Sequence, residues 1–208
     1  MKFTGLILDI DGTIWNTTGI VAEAWNRAVR KCGITMPEIT ADTLKHEFGK
    51  TMNAIADDLF VSAGKEERTR LLKTCCREEQ LAVRNCSENI TYPGVTETIA
   101  DISSIIPIFI VSNCQKGYIE LVMEKNSITS YISDYECYGN TGKGKSENLK
   151  DIIKRNVIER PVYTGDTQGD SDACRDAGVP FIWASYGFGK AENYYAAIKS
   201  FSEIKEYL

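Results

Sequence analysis

The segment Asp9-Ile10-Asp11-Gly12-Thr13 follows directly on a short apolar run, Leu6-Ile7-Leu8. Side chains alternate along a strand, so Asp9 and Asp11 share one side while Ile10 points away. Two like charges on one side repel each other. They make chemical sense with a divalent cation between them, or with one carboxylate as nucleophile and the other as proton carrier. Gly12 lets the chain turn sharply after them. The plainer alternative is a strand end capped by acids with an ordinary turn behind it.

Two further apolar runs end in polar groups of complementary kind. Phe109-Ile110-Val111 leads into Ser112 and Asn113, a hydroxyl and a set of N–H donors. Val162-Tyr163-Thr164 leads into Gly165-Asp166-Thr167-Gln168-Gly169-Asp170. Asp166 and Asp170 stand four apart at a predicted helix start and can face one point. Ligands of open α/β sheets bind at the carboxyl ends of the strands, so these three ends would converge on one crevice. A donor set made only of oxygens suits Mg²⁺.

The elements that must position these groups read as an α/β fold. Leu6–Leu8, Ile105–Val111, Pro161–Tyr163 and Pro180–Trp183 are predicted buried parallel strands. Helical patterns over Gly117–Lys125, Ser146–Asn156 and Gly169–Ala177 alternate with the later ones. The alternation predicts a doubly wound, Rossmann-like parallel sheet with right-handed crossovers. Roughly ninety residues separate the first two strands, far more than a crossover needs. They read as helices. Ile20, Val21, Ala24, Trp25, Ala28 and Val29 recur at helical spacing between an N-cap at Thr17 or Thr18 and a stop at Gly33. Met52, Ile55, Ala56, Leu59 and Phe60 form a second stripe, and Leu71, Leu72 and Cys75 fall in a third helix over Glu66–Val83. Tyr92-Pro93-Gly94 is the turn that re-enters the sheet. The expected organisation is an α/β core of residues 1–15 and 91–208, with an inserted all-helical cap at 16–90.

Composition narrows the function classes. The chain has 208 residues, 24 Lys plus Arg against 29 Asp plus Glu, and a formal charge of −5. No basic run exceeds two residues, which argues against a nucleic-acid partner. The average field also repels a phosphorylated ligand, which would need local cations. The single His46 excludes a His-rich zinc site and, in the polar stretch LKHEF, reads as a surface residue. Seven cysteines without CxxC spacing, a start that is no signal peptide and the lack of a membrane span together predict reduced thiols in a cytoplasmic protein. A cysteine-nucleophile phosphatase needs Arg six residues after its Cys; those seven positions hold Glu38, Leu81, Ala82, Tyr92, Glu120, Lys143 and Pro180.

Taken together, DIDGT, Ser112 after a strand, a following Lys and GDTQGD resemble the ordered signature of the haloacid dehalogenase superfamily of phosphatases, over the whole chain. The helical insert resembles the C1-type cap of the phosphoglycolate phosphatase and β-phosphoglucomutase branch. The resemblance implies that Asp9 is the nucleophile and forms an aspartyl phosphate, with Asp11 as acid and base. It implies Mg²⁺ on Asp9, the Asp11 main-chain carbonyl and Asp166, with Asp170 as a further or outer ligand. Ser112 would donate to a phosphoryl oxygen, and Lys145 would neutralise its charge. Lys143 is the other candidate for that lysine; Lys145 is preferred because Ser146-Glu-Asn-Leu-Lys150 resembles the family's GENIK helix start. Thr13, Asn113, Gly49 and Lys50 are the candidate substrate-binding residues, Gly49 and Lys50 from the cap. Asn16 and Thr17, at the hinge into the cap, are further candidates.

The expected activity is Mg²⁺-dependent hydrolysis of a small phosphorylated metabolite, by a monomer or homodimer. A sugar-phosphate phosphomutase of the same fold is the alternative. Gly139–Ser146 also satisfies GxxxxGK[ST], the P-loop of nucleotide-binding proteins. Tyr131–Cys137 before it reads as a poor buried strand, only 62 residues come after it, and a P-loop leaves DIDGT unexplained.

Overall fold

A computed structural model describes residues 2–208. Six strands form one parallel sheet in the order β3-β2-β1-β4-β5-β6. They are β1 (Gly5–Leu8), β2 (Ile108–Ser112), β3 (Ile132–Cys137), β4 (Pro161–Gly165), β5 (Phe181–Ala184) and β6 (Ala196–Ile198). The doubly wound, parallel expectation therefore holds. Alternation splits the central strands between two apolar layers. Leu6, Leu8, Ile108 and Ile110 face one layer, while Ile7, Phe109, Val111 and Tyr163 face the other. Burying Leu6, Ile7 and Leu8 completely contributes about 1.5–3 kcal/mol each.

The segment between β1 and β2 holds α1 (Thr18–Lys31), α2 (Ala41–Glu47), α3 (Met52–Leu59), α4 (Lys65–Asn85) and α5 (Val95–Ser103). No strand interrupts them. The α1 helix packs on α4 and α2, and α3 packs on α4. Trp25 of α1 is fully buried, with its ring centroid 6.1 Å from that of Phe60. The remaining helices are α6 (Tyr118–Lys125), the single turn α7 (Tyr138–Thr141), α8 (Lys145–Arg155) and α9 (Gln168–Ala177).

Two strands escaped the sequence reading. β3 is an edge strand whose first four residues are partly or fully exposed, so it lacks the continuous apolar run of its neighbours. β6 is only three residues long. β2 also starts later than expected, because Ile105 is exposed and closes α5 instead. A strand does then precede the GxxxxGK[ST] segment, against the sequence reading, but the segment itself does not form a phosphate cradle. The chain forms α7, turns at Gly142, and begins α8 at Lys145, whose side chain is buried among carboxylates.

Candidate active site

β1 lies between β2 and β4, with Leu8 in register with both Ile110 and Thr164. The chain therefore changes direction at β1, and its carboxyl end opens onto the crevice where the strand order reverses. Asp9 leaves β1 there, its N–H donating to the Thr164 carbonyl at 2.9 Å. Ser112 closes β2, buried, and Asp166 follows β4.

Asp9, Asp166 and Asp170 are all buried, and one oxygen from each falls within 4.8 Å of the others. Lys145 is the cation that balances them. Its ammonium lies 3.1 Å from Asp9 Oδ1 and donates to Asp170 Oδ1. Burial works against that charge, yet Asp170 and Asp9 hold it well above the usual lysine range. Lys143, the other candidate, is exposed and paired with Asp151 at 2.6 Å. The structure thus brings Lys145, not Lys143, to the strand ends.

Asp170 has most of its capacity engaged. At the third position of α9 it joins a capping box with Thr167. Its Oδ2 accepts from the main-chain N–H of Thr167 at 2.9 Å and of Asp166 at 3.2 Å, and from the Thr167 hydroxyl at 2.7 Å. Its Oδ1 takes Lys145 and the Tyr163 hydroxyl. Burial raises its pKa, but the charge and hydrogen bond of Lys145 and the bonds from Thr167 outweigh that and hold it below the usual range.

Asp166 is in the opposite situation. Its Oδ2 accepts from the Phe188 N–H at 2.7 Å, while Oδ1 is buried with no partner. Asp9 Oδ1 has the Lys145 ammonium at 3.1 Å as its counter-charge. Burial, then the charges of Asp170 and Asp9, push the Asp166 carboxyl well above its ordinary range; burial and Asp170 raise Asp9 to about 6. An orphaned buried oxygen in an all-carboxylate set, balanced by one ammonium, is the donor chemistry of a divalent hard cation. The residues fit Mg²⁺.

Asp11 faces the same crevice from a different environment. Its Oδ1 accepts three hydrogen bonds, from Trp15 Nε1 at 3.0 Å, the Thr17 hydroxyl at 2.9 Å and the Tyr118 hydroxyl at 2.9 Å. Burial raises it to about 7, against the lowering effect of those donors. Thr17 is the N-cap of α1 but caps nothing, because its hydroxyl goes to Asp11; Asn16 bonds the Thr18 N–H instead.

Glycine makes this packing possible at two places. Gly12 has φ +83°, and a Cβ there would lie 2.1 Å from Asp166 Oδ2. At Gly187 a Cβ would lie 2.3 Å from Asp166 Cβ and 2.5 Å from the Gly12 carbonyl oxygen. A Gly187→Ala substitution must therefore displace Asp166. We expect turnover to fall at least about tenfold while the far-ultraviolet dichroism is kept, as checked by phosphate-release assays on the folded variant.

The segment around α2 and α3 closes over one side of the crevice. The Gly49 carbonyl accepts from Asn113 Nδ2 at 2.8 Å, Asn53 donates to the Tyr138 hydroxyl at 2.9 Å, and the Phe48 and Phe188 rings sit 6.0 Å apart. The partly open cleft is lined by Asp9, Asp11, Ser112, Asn113, Gly49 and Lys50 among others. Thr13 is buried in the turn behind Asp11 and does not line it. Asn16 faces a different surface recess.

Lining residues that went unnoticed in the sequence include Glu79, Gln115 and Tyr118. Glu79 was detectable, because it continues the Leu71–Cys75 stripe at a four-residue step and so lies on the buried face of α4.

The sequence model of the "Haloacid dehalogenase-like hydrolase" family matches residues 6–184. The chain belongs to this family. The match makes it an enzyme, a hydrolase. A phosphoglycolate phosphatase of Agrobacterium fabrum is 24% identical to this family member over 195 residues, 88% of this chain and 80% of the relative. Among solved structures, a protein from Haemophilus somnus 129PT described as a predicted phosphoglycolate phosphatase superposes with a TM-score of 0.86 at 16% identity. That match covers 100% of this chain and 98% of the other. A haloacid dehalogenase-like hydrolase from Streptococcus pneumoniae gives 0.83 at 15% identity, covering 99% and 98%. At such identities the two structures establish the fold.

Proposed function

We propose that this hydrolase is a Mg²⁺-dependent phosphatase of a small phosphorylated metabolite, working through an aspartyl phosphate on Asp9, with residues 16–90 as its cap. The observation that carries the reading is the buried Asp166 oxygen without a partner, grouped with the Asp9 and Asp170 carboxylates around a single buried ammonium. Asp9, Asp166 and the Asp11 main-chain carbonyl would hold the cation, with Asp170 behind them orienting Lys145 and the β4–α9 turn. When bound, Mg²⁺ supplies charge neutralisation for the phosphoryl group and orients it.

The chain's own residues do the rest. A carboxylate oxygen of Asp9 forms the new bond to phosphorus as the bond to the leaving oxygen breaks. Asp11 gives its proton to that leaving oxygen. Three donors converge on Asp11 Oδ1, so Oδ2 is the oxygen that carries the proton. In the second half, water loses a proton to Asp11 and attacks phosphorus, the bond to Asp9 breaks, and inorganic phosphate leaves. Ser112 donates to a phosphoryl oxygen, and Lys145 offsets the charge spread over the equatorial oxygens.

The test is phosphate release from p-nitrophenyl phosphate with Mg²⁺ and with a chelator. We expect turnover that disappears on chelation and returns when Mg²⁺ is restored. A phosphomutase, which must keep water from its phosphoenzyme, would show almost none. Tight ATP binding lost in Lys145→Ala, without hydrolysis of the aryl ester, would support a nucleotide-binding protein instead.

A further inference from the structure

On the reading of the site as a phosphatase, we propose that Glu79 selects a neutral, hydroxyl-bearing leaving group and rejects a carboxylate-bearing one. Glu79 lies on α4, buried, and lines the cleft beside Asp11. Its Oε2 accepts from Trp25 Nε1 at 2.7 Å and its Oε1 from Gln115 Nε2 at 2.9 Å. Burial raises its pKa to about 7 against the lowering effect of both donors, so above neutral pH it is a charged acceptor, and each oxygen keeps a further lone pair. The phosphoryl chemistry has no use for this acid.

A second observation points the same way. Asn113 donates its amide N–H to the Gly49 carbonyl, so its Oδ1 is the atom left over, buried in the cleft wall with no partner. The cleft wall thus holds two acceptors, Glu79 and Asn113 Oδ1. Met52 and Ile55 supply apolar surface for a carbon skeleton. Lys50 is the one cation lining the cleft among the described residues. Its ammonium is already paired with Glu47 at 2.8 Å and Asp58 at 2.7 Å, on an exposed rim. Lys145 is committed to Asp9 and Asp170 at the phosphoryl end.

A ligand carboxylate in this cleft would therefore meet a fixed carboxylate and an unpaired amide oxygen, with no free cation among the described residues. Repulsion of that kind is how a site discriminates against a competitor. Hydroxyl groups would satisfy both acceptors, and a buried acceptor built for a hydroxyl rejects analogues that lack the donor. The substrate class is then the phosphomonoester of a small polyol or sugar, without a second anionic group.

Two matched pairs test this: 2-hydroxyethyl phosphate against 2-phosphoglycolate, and glycerol 3-phosphate against 3-phosphoglycerate. Within each pair a CH₂OH replaces a carboxylate. With Mg²⁺ and wild-type enzyme, kcat/KM should favour the hydroxyl member at least about tenfold in both pairs. Glu79→Gln should shrink each ratio by about tenfold, and a ratio within one enzyme is insensitive to the fraction folded. Equal or faster turnover of the carboxylate members by wild-type enzyme overturns the proposal, whatever the variant does. An unchanged ratio in Glu79→Gln overturns the assignment to Glu79. If p-nitrophenyl phosphate and all four esters resist hydrolysis, the phosphatase reading fails and the specificity proposal falls with it.

Discussion

Asp9→Asn should lower Mg²⁺-dependent phosphate release by at least about 10³-fold on every substrate, with the fold intact. The amide is nearly isosteric, so the β1–β4 hydrogen bond at residue 9 survives. The loss is that of the nucleophilic oxygen. The substitution also relieves charge. Asp9, Asp166 and Asp170 are buried together, and removing one carboxylate leaves Lys145 better matched to the remaining two. Thermal stability should accordingly be unchanged or slightly higher. An inactive variant that melts no earlier than wild type separates loss of chemistry from loss of structure. Retained turnover would remove Asp9 from the nucleophile's role.

Lys145→Ala should affect both properties at once. Among the described residues its ammonium is the one cation in contact with Asp9 and Asp170, both fully or nearly fully buried. Removing one partner of a buried ion pair costs about 3–5 kcal/mol, because the opposite charge stays desolvated. For a chain of this size that lowers the melting temperature by on the order of 10 °C. Turnover should fall by about 10²-fold or more, since a positive charge aimed at the phosphoryl oxygens is lost. Lys143→Ala is the control. Its salt bridge to Asp151 is exposed and worth little, so activity and stability should stay within about twofold and a degree or two. Differential scanning calorimetry beside initial rates reads both effects. Equal behaviour of the two variants would contradict the placement of Lys145.

The groups at the strand ends were legible in the sequence because each depends on short-range rules. Alternation in β1 puts Asp9 and Asp11 on one side; Ser112 and Asp166 simply come after apolar runs. Of the two candidate lysines, Lys145 reaches buried carboxylates and Lys143 an exposed one. Less visible were features that tertiary packing decides. β3 pairs along one edge and wears partly polar side chains, so its residues read as a poor buried strand. Thr17 looked like a helix cap or a substrate contact, yet its hydroxyl is diverted to Asp11. Glu79 sits in the charged stretch Arg77-Glu78-Glu79-Gln80, where its four-residue step from Cys75 marks the inward face but not the partner it meets there. One helix step turns Glu79 inward onto Trp25, while Glu78 reaches out to Lys31 at 2.8 Å. Such a choice depends on how α4 docks against α1.

The net negative charge also reads differently beside the geometry. The excess acid is not spread evenly, since three carboxylates crowd one crevice around a single lysine. A phosphoryl group approaching a Mg²⁺-loaded site would meet that local field and not the average one.

Covalent trapping is the decisive measurement for the aspartyl phosphate. An aryl phosphate carries a leaving group that departs without a proton, so Asp11→Asn should still phosphorylate from p-nitrophenyl phosphate. It would then lack the base for hydrolysis. After a rapid acid quench, mass spectrometry should find phosphate on the peptide that carries Asp9, in amounts approaching one per enzyme, and none without Mg²⁺. Burst release of p-nitrophenol with no phosphate on that peptide, or label on any other residue, would contradict Asp9 as the nucleophile.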